Sequence, residues 1–429
     1  MLLGACSFVT GADQTEPATT TTSTPTTSSP PPPPTTTATT TTTSTTSTTT
    51  TTTTTIPTFD LAGAVMSSEG VPLGGAVVSV GGETAVTGPD GMFLIAAVPA
   101  GPVSVTRPAW EDLDFEWDGN SPLDMLLEPF VVRGLRFSRY NSMDVDGLGA
   151  MLALVEGTVV NTIVFDSKDE TGGVLYLSQV DKAIELGAPE DVYDPAAAIE
   201  RVHEAGLYAI TRIVAFEDPV WTKADQEAKL AGRWVDARNQ ANWQYPLDLA
   251  AEACELGFDE IQFDYVRFPA GVTAEAAPPT TQEERVTAIA AFLAEARTRL
   301  HPMGCAVTAD VFGIVSTSPT DEGIGQRPEE LSASVDVLSP MVYPSHYSPG
   351  HLGFTDPNDH PGPVTADALD GAGSRLADGA LLRPWLQAFY YNGTQVQAAI
   401  NEAEARGMGW MLWNAAGNYS KSWLPLADG

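Results

Sequence analysis

Basic residues are scarce in this chain. Only 21 Lys and Arg stand against 55 Asp and Glu, a formal charge of −34 over 429 residues. Nucleic acids are held by clustered Lys and Arg, so they are excluded as partners. An anionic membrane surface would repel such a chain. Cysteine is nearly absent, with only Cys6, Cys254 and Cys305. Histidine occurs five times, and neither residue shows the spacing of a zinc site. No metal site and no cofactor is therefore expected. No apolar run reaches the length of a membrane-spanning helix.

The acidic residues that replace this basic content are not gathered into a tail. They are spread through segments with apolar periodicity, as on a soluble folded surface. Before those segments, residues 15–58 are almost entirely Thr, Ser and Pro. Such a stretch has nothing apolar to bury and cannot offset its ordering entropy, so it reads as a disordered linker or stalk. Leu3-Gly4-Ala5-Cys6, within residues 1–14, resembles a bacterial lipobox, which implies lipidation at Cys6. The charged and longer apolar parts of an export signal do not precede it. A lipid anchor followed by a stalk predicts an extracellular, surface-tethered lipoprotein that meets the membrane through its lipid alone.

Residues 59–130 alternate short apolar runs with turn signals, the pattern of a small β-sandwich. Gly63-Ala64-Val65, Gly70-x-Pro72, Gly75-Ala76-x-Val78-x-Val80, Thr87-x-x-Asp90-Gly91-x-Phe93 and Val98-Pro99-Ala100-Gly101 resemble the carboxypeptidase regulatory-like family. The resemblance implies a spacer or weak binding module. No catalytic set is visible here, and Asp90-Gly91 is explained by turn chemistry.

From residue 131 to 429 short β runs alternate with helical stretches. The strands read at 132–137, 160–166, 207–214, 259–264, 305–310, 336–342, 385–390 and 409–413. Helices read at Ala196–Ala205, Leu247–Leu256, Thr281–Leu300 and Thr394–Arg406. Eight strands with intervening helices predict an α/β fold, a (β/α)8 TIM barrel. The rival doubly wound sheet usually carries a Gly-rich phosphate loop after its first strand, and none is present. Cys254 falls on a predicted helix and Cys305 at a strand start. Two separate buried thiols are the expected reading; a disulfide is the alternative open to an exported chain.

The segment Gly257–Pro269 is the most informative. Ile261 and Phe263 alternate with Glu260, Gln262 and Asp264, the period of a strand. Helices cover the outside of a barrel, so the polar set points inward, with Asp264 at the C-terminal mouth where barrel active sites are built. Buried polar groups need partners, and Glu260, deep in the barrel, reads as part of an internal polar network. The same phase sends Asp310 inward. Cleaving a glycosidic bond takes two carboxyl groups, one on each side. Asp264 and Asp310 are the expected pair, Asp264 as nucleophile with Arg267 favouring its ionised form, Asp310 as acid/base. Asp166 is held in reserve or as a substrate contact. Arg212, Lys168 and Arg267 either grip the substrate or neutralise inward carboxylates. Tyr343, His346, Gln387 and Trp413 are further candidate substrate contacts at strand ends, Trp413 as a sugar-stacking platform.

These residues also carry a resemblance. Val164-Phe165-Asp166-Ser167-Lys168-Asp169, Arg212-Ile213-Val214-Ala215-Phe216, Gly257–Pro269, Ala309-Asp310-Val311-Phe312-Gly313, Leu338–Tyr347, Arg383–Gln387 and Gly409–Asn414 resemble the putative glycosyl hydrolase domain family. The resemblance implies polysaccharide-directed hydrolysis on a (β/α)8 barrel, and the surface tether adds an envelope glycan as an expected substrate. A noncatalytic carbohydrate-binding lipoprotein is the main rival, and a structural adhesin a second. Substrate does not transfer with a fold.

Overall fold

The structure, a computed structural model, describes residues 56–427. Cys6 and the Thr/Ser/Pro segment up to residue 55 lie outside the described residues.

Two sheets come first. In one, the strand Thr58–Ser67 pairs antiparallel with Met92–Pro99 and parallel with Leu123–Leu127. In the other, Glu83–Val86, Val77–Val80, Gly101–Thr106 and Leu113–Trp117 pair antiparallel in that order. Side chains alternate between faces along a strand, so Leu61 and Val65 of the first sheet meet Val78, Val80, Val103 and Val105 of the second in one apolar core. Ala306 and Val337, at the N-terminal ends of two barrel strands, join the same core. Arg107 Nη2 adds a hydrogen bond to the Gly379 carbonyl at 3.4 Å. The β unit therefore covers the N-terminal end of the barrel, away from the face where barrels place their chemistry.

The barrel strands, one to eight, are Arg133–Phe137, Thr162–Lys168, Tyr208–Val214, Glu260–Asp264, Ala306–Phe312, Val337–Val342, Trp385–Gln387 and Trp410–Trp413. Every neighbouring pair is parallel, and strand eight closes on strand one through Trp410–Arg133 and Leu412–Leu135. The expected α/β barrel is present. Strand seven, expected over 385–390, ends at Gln387. Leu381–Leu382 pairs with the start of strand six and Trp385–Gln387 with its end. Pro384, which has no N–H to donate, lies between them.

The helices follow their sequence signals. Asp194 caps Pro195–Glu204, with Pro195 in the first turn. Thr281 and Glu284 form a capping box that starts Gln282–Leu300. Gln244–Leu256 and Gly393–Glu404 end the list of expected helices. Ile261 and Phe263 face this outer layer, and the Phe263 ring packs on Phe292 at 5.1 Å. The inward residues of the same strand meet polar partners. Glu260 accepts from Thr308 Oγ1 at 2.6 Å and pairs with Arg383. Val164, Ile210, Trp385 and Met411 fill much of the remaining interior.

Cys254 and Cys305 form a disulfide, with Cα atoms 6.1 Å apart, which corrects the expectation of two separate thiols. The end of the helix Gln244–Leu256 and the residue preceding strand five lie on the same side of strand four. Two small side chains meet in that crevice, with their Cα atoms at a spacing a disulfide spans. Among the described residues no helix is long and apolar enough to cross a membrane.

Candidate active site

The C-terminal mouth of the barrel holds a cavity of about 350 Å³. Asp264, the last residue of strand four, forms part of its floor. Its Oδ2 accepts from Arg212 Nε at 2.9 Å and lies 2.7 Å from Arg212 Nη2. Its Oδ1 accepts from the backbone N–H of Tyr265 at 2.6 Å. That N–H is aimed by an unusual backbone: Tyr265 has φ 49°, a conformation costing a bulky residue about 1–3 kcal/mol and concentrated at functional sites. Burial, with the Asp264 charge beside it, pushes the Tyr265 phenol up to about 12.

A second carboxyl group lines the cavity. Glu170 follows strand two, and its Oε2 is 3.6 Å from the same Arg212 Nη2 that holds Asp264. Because 2.7 and 3.6 Å meet at one nitrogen, the two carboxylate oxygens are less than about 6.3 Å apart. The Glu170 side chain is 44 % exposed, against 4 % for Asp264. One carboxylate is thus fixed in the floor, while Glu170 is half-exposed, with its Oε2 buried and without a hydrogen-bond partner among the described residues.

The walls are aromatic. Tyr343, His346 and Tyr347 line one side, Phe312 and Trp413 others. The hydroxyls of Tyr343 and Tyr347 are buried and have no partner among the described residues. Buried hydroxyls left without partners are costly, so both are ready to bond a bound molecule. Gly313 shapes this wall. A Cβ there would sit 2.5 Å from the Met341 carbonyl oxygen and 2.6 Å from the Tyr347 hydroxyl. Burial lowers the His346 pKa, which favours the neutral ring. Among the described residues no group of three or more His, Cys, Asp or Glu is placed to hold a metal ion.

Comparison with known proteins bears on this cavity. The family model described as "Putative glycosyl hydrolase domain" matches residues 135–419. The chain belongs to the putative glycosyl hydrolase domain family. A hypothetical protein from Ruminiclostridium thermocellum is 31 % identical over 41 % of this chain and 97 % of its own, with a TM-score of 0.38. The PgaB (BpsB) glycoside hydrolase domain of Bordetella bronchiseptica is 9 % identical over 67 % and 94 %, with a TM-score of 0.48. The PelA glycoside hydrolase domain of Pseudomonas aeruginosa is 12 % identical over 68 % and 97 %, with a TM-score of 0.41. No curated protein matches the chain.

Within this glycosyl hydrolase domain, Asp264, Arg212, Arg267, Tyr343, His346 and Trp413 all line the cavity. Asp310 does not. It faces inward, as its phase requires, but strand five continues two residues further, to Phe312. Phe312 therefore occupies the mouth, and Asp310 lies one inward layer deeper, 1 % exposed. Asp310 Oδ1 accepts from Gln262 Nε2 at 2.7 Å and from Trp385 Nε1 at 2.9 Å, while Oδ2 has no partner. Burial first, then the charge of Asp264, raises its pKa well above the usual carboxylate range. That direction favours the neutral form of Asp310 beneath Asp264.

Lys168 also fails to reach the cavity. The register between strands two and three slips after Asp166, so that Lys168 pairs with outward-facing Ile213. One extra residue sends the following side chain to the other face. Lys168 Nζ lies 3.0 Å from Asp218 and donates to the Val214 carbonyl at 2.9 Å, fully buried. Asp166 remains inward but below the cavity, where it bridges Arg136 and Arg212. Gln387 is buried behind the wall. Its Oε1 accepts from the Ser345 N–H and hydroxyl at 3.1 and 2.9 Å, which sets the segment carrying His346.

Sequence reasoning did not single out Arg136, Glu170 or Tyr347. Arg136 alternates inward after Leu135 and places its guanidinium 4.1 Å from the centre of the Trp413 ring. That alternation on strand one was readable. Glu170 lies in a loop beyond the strand, where periodicity gives no signal.

Proposed function

We propose that this domain hydrolyses glycosidic bonds with Asp264 and Glu170 as its two carboxyl groups. The observation that carries this reading is their joint presence in one mouth cavity, both within 4.0 Å of the same Arg212 nitrogen. Arg212 and the Tyr265 backbone N–H hold the Asp264 carboxyl in one orientation in the floor, as an attacking group requires. Two carboxyl groups whose nearest oxygens lie within about 6.3 Å are compatible with the retaining scheme. In that scheme Glu170 gives its proton to the leaving oxygen as the bond to C1 breaks, and Asp264 forms a bond to C1. Water then attacks C1, Glu170 takes a proton from it, and Asp264 is released. Arg212 and Asp310 keep the floor charge fixed, and the Tyr343 and Tyr347 hydroxyls bond the sugar.

The working setting we infer is outside the cell. The Cys254–Cys305 disulfide belongs to an oxidising compartment, and the Thr-rich segment with the lipobox-like Cys6 would tether the domain to a surface. A polysaccharide or envelope glycan is the corresponding substrate.

The test is release of reducing sugar from a panel of polysaccharides and envelope glycans by the full chain and by Asp264→Asn. Activity that disappears in a folded variant supports the reading. Equal activity in both overturns Asp264 as nucleophile. Binding without hydrolysis by both proteins favours a noncatalytic carbohydrate-binding protein.

A further inference from the structure

Three guanidinium groups approach the mouth, and their charges are met differently. Arg136 pairs with Asp166. Arg212 is shared by Asp166, Asp264 and Glu170. Arg267 has no carboxylate within 4.0 Å among the described residues, although it lines the cavity. The acids nearest to it are engaged elsewhere, Asp264 with Arg212 and Glu217 with Arg233.

Arg267 is held in place by rings rather than by acids. Its guanidinium carbon lies 4.4 Å from the centre of the Trp234 ring, 4.6 Å from Phe312 and 5.1 Å from Tyr265. Aromatic faces attract a guanidinium and fix its plane but accept none of its in-plane hydrogen bonds. Of its five N–H donors, the bond to the Phe268 carbonyl at 2.9 Å occupies one. A mostly buried cation with open, rigidly presented donors is complementary to an anion that accepts two parallel hydrogen bonds. A neutral hydroxyl cannot match that fork.

We propose that Arg267 forms a subsite for a negatively charged sugar substituent, a carboxylate in the first place, so that the substrate is an acidic glycan. The inference rests on the glycosidase reading for its meaning, but the binding it requires does not depend on hydrolysis. Arg267 selects the substrate and takes no part in bond cleavage. The strong negative charge of the chain, −34, gives no general attraction for acidic polymers. Preference must then come from this one site.

The experiment is a calorimetric titration of the full chain with glucuronate, its uncharged methyl ester and glucose 6-sulfate. Loss of a charge-assisted hydrogen-bonded pair is expected to weaken binding by about tenfold to a hundredfold. Glucuronate should bind tighter than its ester by that factor. Arg267→Gln should erase the difference, and Arg267→Lys, which keeps the charge without the fork, should retain part of it. Glucose 6-sulfate binding above glucuronate would keep the anion subsite and assign it to sulfated sugars. Equal binding of acid and ester overturns the proposal, as does no glucuronate binding or a preference that survives in Arg267→Gln. The acid–ester comparison is made on the unaltered protein, so a variant that fails to fold leaves the test intact. Hydrolysis confined to neutral glycans would overturn the subsite while leaving the glycosidase reading in place.

Discussion

Replacing Asp310 with Asn separates two ways of using the carboxyl groups around the barrel mouth. Buried Asp310 accepts two hydrogen bonds at Oδ1, and an Asn oxygen in the same place keeps both. The amide nitrogen then takes the position of Oδ2, which has no partner in the parent either. One poorly satisfied group replaces another, so the stability change should stay within about 1 kcal/mol at acid pH. Activity should fall by no more than about tenfold. A general acid is worth about 10²–10⁴ in rate, and Glu170→Gln should show a loss of that size. The pH dependence has a definite sign. Asp310 has a folded pKa raised by burial and by Asp264, so its contribution to stability is complete below the unfolded pKa and is lost as pH rises through the folded value. Asn carries no such loss. Asp310→Asn should therefore gain thermal stability relative to the parent as pH rises above the ordinary carboxylate range, and lose that advantage in acid. Reducing-sugar assays and melting curves across pH measure both effects. A drop in rate for Asp310→Asn equal to that for Glu170→Gln would refute the assignment and return the acid/base role to Asp310.

Other perturbations follow from the same geometry. Lys168→Met should destabilise the fold by about 3–5 kcal/mol, since it leaves Asp218 buried without its cation; urea unfolding measures this, and a change confined to KM would contradict it. Replacing Cys254 and Cys305 together with Ser opens a loop of 51 residues, which should cost about 4 kcal/mol on the chain-entropy model, read as a lowered denaturation midpoint. Gly313→Ala should cost about 1–3 kcal/mol by overpacking and reduce substrate affinity, because its methyl group meets Met341 and Tyr347 in the cavity wall. Proton NMR of the first-formed product should show retained anomeric configuration if Asp264 is the nucleophile and Glu170 the acid/base.

Much of the barrel was legible because two physical periods are strong. Ile261 and Phe263 had to face the helices, so Glu260, Gln262 and Asp264 had to face the axis, whatever closed the mouth. Thr281 and Glu284 marked a helix start through the bonds that unpaired N–H groups require. The disulfide was not legible, because it depends on where a helix end lies against a strand from elsewhere in the chain. Glu170 was missed for a related reason: a loop residue reaches the site by the path of the backbone, and no side-chain alternation records that path.

The misplaced residues, Asp310 and Lys168, share a cause. Alternation tells which face a side chain takes, but depth and face both depend on the unbroken count of residues to the strand end. Strand five runs to Phe312, so Asp310 drops by one layer and changes from a candidate proton donor into a buried group beneath the floor. Strand two slips by one residue after Asp166, so Lys168 leaves the axis for the outer layer. A bulge and a two-residue extension change the backbone little, yet each reassigns a charged group. The depth of Asp310 also supplies what a mouth residue could not. Its burial, with the Asp264 charge, raises its pKa well above the usual carboxylate range, which favours an uncharged group beneath Asp264. Arg212 is then the charged partner that Asp264 meets in the floor, through Nε and Nη2 together, and the orientation of the attacking carboxyl is set by that pair rather than by its carboxyl neighbour.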